Sequence, residues 1–430
     1  MKGSWQPSSA LLRAALASVS FAVVAVVAGR PDLLVLGVPL LVHAAAGVVR
    51  RPGATPRAKS GLAHQSVREG EGTTLQVRVD DAADVEHVAV AVARRRWLAT
   101  RPASGVVGRS SGVEQSVRVD LPMASMRWGR RGVGDGLVGA TSPWAGYQWG
   151  PVRLSSRTLT TLPQPGPFDS RAAAPHPIGL VGTHPARRPG DGSEFSSIRP
   201  FQPGDRLRRV QWRVSLRTGT LHVTNTVAEE DSSVLLLVDG GIEVGVSGGV
   251  RGAPSTLDVA VRAAGAVAEH YLFRGDRVGV RVLGSVGQQV VPPSAGRRHL
   301  RLVLDALARV SPGENRDLDP TRVRFRVSAG TVVLVFSPML SQASLVATTT
   351  LASRGLDVVV VDTLPENIEA AMDDPRRLLA WRMRLLERDA LLGRVQHAGI
   401  PVVAWRGPGT LDEVLHRLGR RASLPTLERR

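Results

Sequence analysis

Residues 11 to 29, LLRAALASVSFAVVAVVAG, are apolar apart from Arg13 and two serines, and a second apolar run, Leu33 to Val49, follows after Gly29, Arg30, Pro31 and Asp32. At about 1.5 Å per residue the first run matches the hydrocarbon core of a bilayer, and the second lies within the spanning range. This pair constrains the chain more than anything else in it, because it assigns residues 1–50 to a membrane and leaves the rest to fold outside. A cleaved signal peptide competes for the first run alone. The second run, with no clear cleavage site before it, favours a transmembrane hairpin. Lys2 and Arg13 stand at the start, Arg50, Arg51, Arg57 and Lys59 follow the second run, and Arg30 is the one basic residue between. The positive-inside rule then puts both ends, and the whole soluble part, on the cytoplasmic side of the cell membrane.

At 430 residues the chain is long enough for two or three domains. It contains no cysteine, which excludes disulfides, thiolate metal sites and a cysteine nucleophile. The net charge of +18 is almost wholly arginine, with Lys2 and Lys59 as the lysines, and aromatic residues make up 4%. Abundant Ala, Gly, Val and Arg suit a GC-rich coding bias, and the aromatics that would stack on bases are few and mostly not interleaved with the arginines. Nucleic acid is therefore not an expected partner.

Between Ser66 and Leu162 the pattern has period two. Leu75, Val77 and Val79 point one way and Thr74, Gln76 and Arg78 the other, and the alternation recurs at Val88, Val90, Val92 and at Val117, Val119, Leu121. Such runs, punctuated by Gly, Pro and Asp, predict a β-sandwich over residues 51–165. Residues 166–192 are rich in Pro, Gly, Ala and Arg and read as a linker or loosely held loop within a 166–232 segment. From 233 to 430 strands alternate with helices. Strands are expected at Val234–Val238, Arg277–Leu283, Thr331–Phe336, Asp357–Val361 and Pro401–Trp405. Helices are expected after the Ser255/Asp258 capping pair, with Leu257, Val261, Ala264, Ala268 and Tyr271 on one face, and near 297–310, 341–354, 366–396 and 410–420. This is the pattern of a doubly wound α/β domain.

Between linker and sheet lies GDGSEFSSIRPFQPGDRLRRVQWRVSLRTG, which sets Arg199, Arg206, Arg208, Arg209, Arg213 and Arg217 around Glu194 and Asp205. Its glycines flank charged side chains rather than forming a phosphate loop. An ion-pair and hydrogen-bond platform is expected, either a structural clamp or a docking surface, since arginine's planar fork serves both. The order Gly192, Glu194, Phe195, Arg199, Gly204, Asp205, Arg209, Trp212, Ser215, Arg217 resembles the signature of the DUF58 family, bacterial membrane-anchored proteins with a von Willebrand factor A-like domain. Pro200, Phe201 and Leu216 depart from the family's usual acidic, tyrosine and small residues. Arg130-Arg131-Gly132 and Thr141-Ser142-Pro143-Trp144-Ala145-Gly146 resemble the end of the β-rich domain before the signature, with Ser-Pro where Asp-Pro is usual. The resemblance implies a non-enzymatic scaffold or adaptor that works with a MoxR-type AAA+ ATPase in assembly or maturation of envelope proteins.

Other chemical readings have weaker footing. Asp239 and Glu243 form a degenerate version of the metal site that von Willebrand A domains place at the end of the first strand; Gly241 has no side-chain oxygen, and Ser337 stands where a later acidic ligand is expected. A carboxylate satisfied by backbone N–H groups or arginine is the expected alternative. Gly245-Val246-Ser247-Gly248-Gly249 fits G-x-S-x-G, but Ser247 lies well past the strand end, off any nucleophile elbow. Glu194 and Asp205 among arginines suit salt bridges better than proton transfer. GATPRAKS at 53–60 misses the P-loop pattern at Ala58, and the histidines lack metal-ligand spacing. No catalytic residue, cofactor or intact metal site is expected.

Overall fold

The computed structural model describes residues 3–112, 114–166, 168, 184–202, 207–230, 233–285, 289–312, 327, 331–366, 368 and 374–415, with the backbone alone at 184–196, 208 and 225–230. Two units result, Met1–Thr161 and Leu162–Arg430.

The first unit opens with strand β1 (Trp5–Pro7) and helices α1 (Ser9–Val27) and α2 (Asp32–Val49). Ser8 caps α1, its hydroxyl accepting from the Leu11 N–H at 3.0 Å. Each helix is long and apolar enough to cross a membrane, and only 22% and 17% of their apolar windows are buried. That separates them from the buried core helix of a water-soluble domain, which meets the same length and composition test. They pack on one another through Leu11, Ala14 and Ala44, with Tyr147 against the cluster.

Then come β2 (Arg57–Leu62), β3 (Ser66–Arg68), β4 (Gly72–Asp80), β5 (His87–Val92), β6 (Leu98–Thr100), β7 (Val106–Ser110), β8 (Ser116–Ser125), β9 (Gly129–Val133), β10 (Gly136–Thr141), β11 (Tyr147–Arg153) and β12 (Arg157–Leu162). They form sheets ordered β2-β4-β8-β6, β1-β11-β10-β5-β7 and β3-β12-β9. The residues picked out by period two meet inside. Leu75, Val77, Val79, Val117, Val119 and Leu121 share one core with Val88, Val90, Val138 and Trp149 of the facing sheet. Strand β1 was not expected. It pairs antiparallel with β11, Trp5 opposite Trp149, and so ties the start of the helical hairpin into a sheet. Arg131, from the stretch that resembles the family's β-rich domain, donates to the carbonyls of Arg127 at 2.6 Å and Trp128 at 2.7 Å. Burial, with Arg127 nearby and Glu69 opposing, pulls its guanidinium down to about 10.

The second unit contains β13 (His184–Pro200), α3 (Trp212–Thr218), β14 (His222–Glu230), β15 (Ser233–Asp239), α4 (Thr256–Phe273), β16 (Arg277–Leu283), β17 (Val290–Ser294), α5 (Arg297–Ala308), β18 (Val332–Ser337), α6 (Gln342–Ser353), β19 (Asp357–Asp362), α7 (Pro375–His397) and β20 (Val402–Ala404). The linker expected at 166–192 needs correcting at its end. Residues 184–192 belong to β13, which pairs antiparallel with β14; 169–183 lie outside the described residues. Pro185 and Pro189 fit because this is a two-stranded ribbon in which every strand is an edge, and shifts of register take up the misfit.

The large sheet runs β17-β16-β15-β18-β19-β20, parallel throughout except for the edge strand β17, which the sequence pattern did not signal. Strands buried on both faces account for their unbroken apolar runs. Leu235, Leu237, Val333, Val335, Val358 and Val360 pack with Leu345 and Leu351 of α6 and Val395 of α7. Alternate residues such as Leu236 and Leu334, also fully buried, face the opposite side. Helix α4 starts on the predicted capping box and buries Leu257, Val261, Ala264, Ala268 and Tyr271. The layout is thus multidomain: two apolar helices with β-sheets, then a helix-covered α/β sheet.

Leu236→Ala at the centre of β15 should cost about 2–5 kcal/mol through the cavity it leaves, whereas Val246→Ala, on a side chain 74% exposed, should stay within about 0.5 kcal/mol. Denaturant unfolding of the detergent-solubilised chain compares the two.

Candidate functional site

From β15 the chain goes to β16 on one side and later to β18 on the other, so the carboxyl end of β15 is the switch point where open α/β sheets receive ligands. Asp239 sits there, 4% exposed. One of its oxygens accepts from the Gly241 N–H at 3.2 Å; the other accepts from the Ser337 hydroxyl at 2.7 Å and from the Ser344 hydroxyl. Ser337 ends β18 and Ser344 lies in the first turn of α6, so a single carboxylate joins three elements. The expected alternative of backbone N–H groups or arginine is met in part, with hydroxyls in place of arginine. Ser341 caps α6, and its hydroxyl lies 2.8 Å from that of Ser344.

Glu243 accepts from the Ser255 hydroxyl at 2.6 Å, at the cap of α4. A hard divalent ion takes six or more clustered oxygens. Here both Asp239 oxygens already receive protein donors, and among the described residues no three His, Asp or Glu side chains gather as metal ligands. Ser247 is buried in the loop after β15, its hydroxyl accepting from the Gly249 N–H at 3.1 Å, and it stands on no strand-to-helix elbow.

Asp362 and Arg388 extend the same edge and escaped the sequence reading. Asp362, opposite Ser337 in the ladder, pairs with Arg388, whose Nε also donates to the Pro338 carbonyl at 2.7 Å. Arg384 donates to the Leu340 carbonyl at 2.7 Å, so α7 clamps the loop in which Met339 has φ +52°. An available signal was the repeat of an apolar strand ending in aspartate, SVLLLVD and then DVVVVD.

The structure describes the signature in part, and the acidic side chains of the expected ion-pair platform are not among the described ones. Of its acidic members, Glu194 lies in β13, where only the backbone is described, and Asp205 lies outside the described residues with Gly204. Phe195 sits opposite Thr226 in the ribbon, and Arg199 opposite Val223, donating to the Pro200 carbonyl at 3.1 Å. Arg209, half-buried, ends a short 3-10 turn. Ser215 is the buried residue of α3. Its hydroxyl donates to the Gln211 carbonyl and accepts from the His222 N–H, both at 2.9 Å, fastening helix to strand. Trp212 and Leu216, one turn apart, are 61% and 83% exposed, beside exposed Arg213 and Arg217.

Asp239→Ala and Ser344→Ala should each destabilise by about 1–3 kcal/mol, since each leaves a buried polar partner unsatisfied. Together they should cost less than their sum, by about 0.5–3 kcal/mol, in a double-mutant cycle of denaturant unfolding.

Residues 197–377 match the family described as "Protein of unknown function DUF58". Over 131 residues the chain is 32% identical to an uncharacterized protein of Mycobacterium bovis and to uncharacterized proteins of two strains of Mycobacterium tuberculosis, a match covering 30% of this chain. The chain spans 40% of the length of these curated relatives. The stretch that carries both the Trp212 helix and the aspartate-centred sheet edge lies within the residues that match this family.

Proposed function

We propose that this protein is a membrane-anchored, non-enzymatic adaptor whose α/β sheet is a von Willebrand A-like domain, and whose signature helix docks a MoxR-type AAA+ ATPase for assembly or maturation of envelope proteins. The observation that carries this reading is the outward face of α3. Trp212 and Leu216 stand exposed on a helix whose opposite side is fastened by Ser215, with Arg213 and Arg217 alongside. Exposed tryptophan and leucine beside arginine, on a backbone already held in place, is the make-up of a protein-binding hot spot. The choice of ATPase comes from the family resemblance. An aspartate at the carboxyl end of the central strand of a helix-covered parallel sheet supports the von Willebrand A-like assignment, and its hydroxyl partners support a structural over a metal-binding use. Two sparsely buried apolar helices support the anchor, and the basic residues flanking them support a cytoplasmic soluble part.

Purification of the tagged chain from membranes should retain such an ATPase. Trp212→Asp combined with Leu216→Asp should weaken that association by at least about 2 kcal/mol, roughly 30-fold in Kd, without lowering the melting temperature. Ser215→Ala should lower the melting temperature instead. Retention of the ATPase by the double variant would remove α3 as the docking face, and repeated absence of the ATPase from the intact protein would remove the adaptor role.

A further inference from the structure

Resting on the membrane reading of the hairpin, we propose that the turn Pro143–Ala145 is a lipid seat: Trp144 inserts at the phospholipid headgroup layer and sets the β-sheets against the bilayer that α1 and α2 cross. Both ends of the hairpin converge on this turn. The chain leaves β1, already paired with β11, and enters α1 through Ser8, whose N–H donates to the Gly146 carbonyl at 3.0 Å and whose hydroxyl donates to the Ala145 carbonyl. The last turn of α2 meets the same place. A Cβ on Gly146 would lie 3.0 Å from the Gly47 Cα, and one on Gly47 would lie 3.4 Å from the Gly146 Cα and 2.7 Å from the end of the Leu11 side chain, so the two backbones approach closely here. The other end of the hairpin, at Gly29–Asp32, is then a helix length of about 28 Å away.

Trp144 is built to point outward. It has φ +62°, and Ala145 follows with φ +50°, both in the left-handed region that costs energy for residues other than glycine. The surroundings impose this conformation. The Ala145 N–H donates to the Ser142 carbonyl at 3.0 Å, the Trp144 N–H to Glu86 at 3.1 Å, and the Tyr147 N–H to the Ser142 hydroxyl at 2.9 Å. The result is an indole 52% exposed beside the end of α2. An indole is at home at a membrane interface, with its ring against acyl chains and its N–H toward headgroups. The charges agree. Arg13, on the exposed side of the second turn of α1, can snorkel to the same level, and exposed Arg50 and Arg51 follow α2. Their guanidinium groups suit lipid phosphates.

The absence of cysteine makes labelling direct. Single-cysteine variants Val19→Cys in the hairpin, Trp144→Cys in the turn and Arg94→Cys past the far end of β5 are labelled with an environment-sensitive fluorophore. The full chain is then reconstituted in phosphatidylcholine–phosphatidylglycerol vesicles. Spin-labelled lipids should quench position 19 from the acyl chain, position 144 from the headgroup, and position 94 from neither. In unlabelled protein, Trp144→Phe should lose the part of the tryptophan emission that headgroup spin label quenches. If position 19 is quenched from the acyl chain while 144 behaves as 94 does and Trp144→Phe changes nothing, the seat is overturned and the anchor stands. If position 19 also behaves as 94 does, both fall.

Discussion

The Asp239 carboxylate is the point on which the C-terminal unit depends. A charge carried to the end of a central strand and buried there is costly unless every oxygen finds a donor. Here the donors come from separate elements: the hydroxyls of Ser337 on β18 and Ser344 on α6, and the Gly241 N–H. Satisfying one charge therefore fixes where two strands end and a helix begins relative to one another. The consequence reaches the next layer. Ser337 also accepts from the Met339 N–H at 2.9 Å, which holds the loop whose carbonyls Arg384 and Arg388 take from the other side. At the edge that commonly receives a ligand in such sheets, three of the protein's own donors meet this carboxylate.

The N-terminal unit solves a different problem, that of joining apolar helices to water-facing sheets. Its device is to leave almost no linker at the start. Strand β1 runs into α1 with Ser8 alone between them, and that residue both caps the helix and holds the 143–146 turn. Facing glycines at 47 and 146 bring the end of α2 to the same turn. A hairpin attached at both ends holds its sheets far more closely than a tether would.

Much of the fold was legible because its signals are periodic. Alternation in Leu75–Val79 and Val117–Leu121 placed those side chains on one face, and the capping pair Ser255/Asp258 marked the start of α4. The unbroken apolar runs of β15, β18 and β19 marked buried strands. Short or proline-bearing strands carried no such signal. Strand β1 has too few residues to show a period, β17 contains Pro292 and Pro293, and β13 was hidden by a composition that resembles a linker. Within the site, Asp239 was visible as an acid ending an apolar strand. Its partners were not, because serine is too common for Ser337 and Ser344, 98 and 105 residues away in sequence, to stand out.

By itself, then, the sequence determined the local facts: which segments are apolar enough for a bilayer, which alternate as strands, which turn as helices, and which stretch bears a family's signature. Those follow from the side-chain order within a few turns of chain. Tertiary structure alone decided which hydroxyls answer the Asp239 charge, that Arg388 pairs with Asp362, and that Trp212 and Trp144 face outward while Trp149 is buried. The reason is physical. Hydrogen-bond partners and exposure depend on which distant segments come within a few ångströms, and that is settled only when the sheets close and the helices pack.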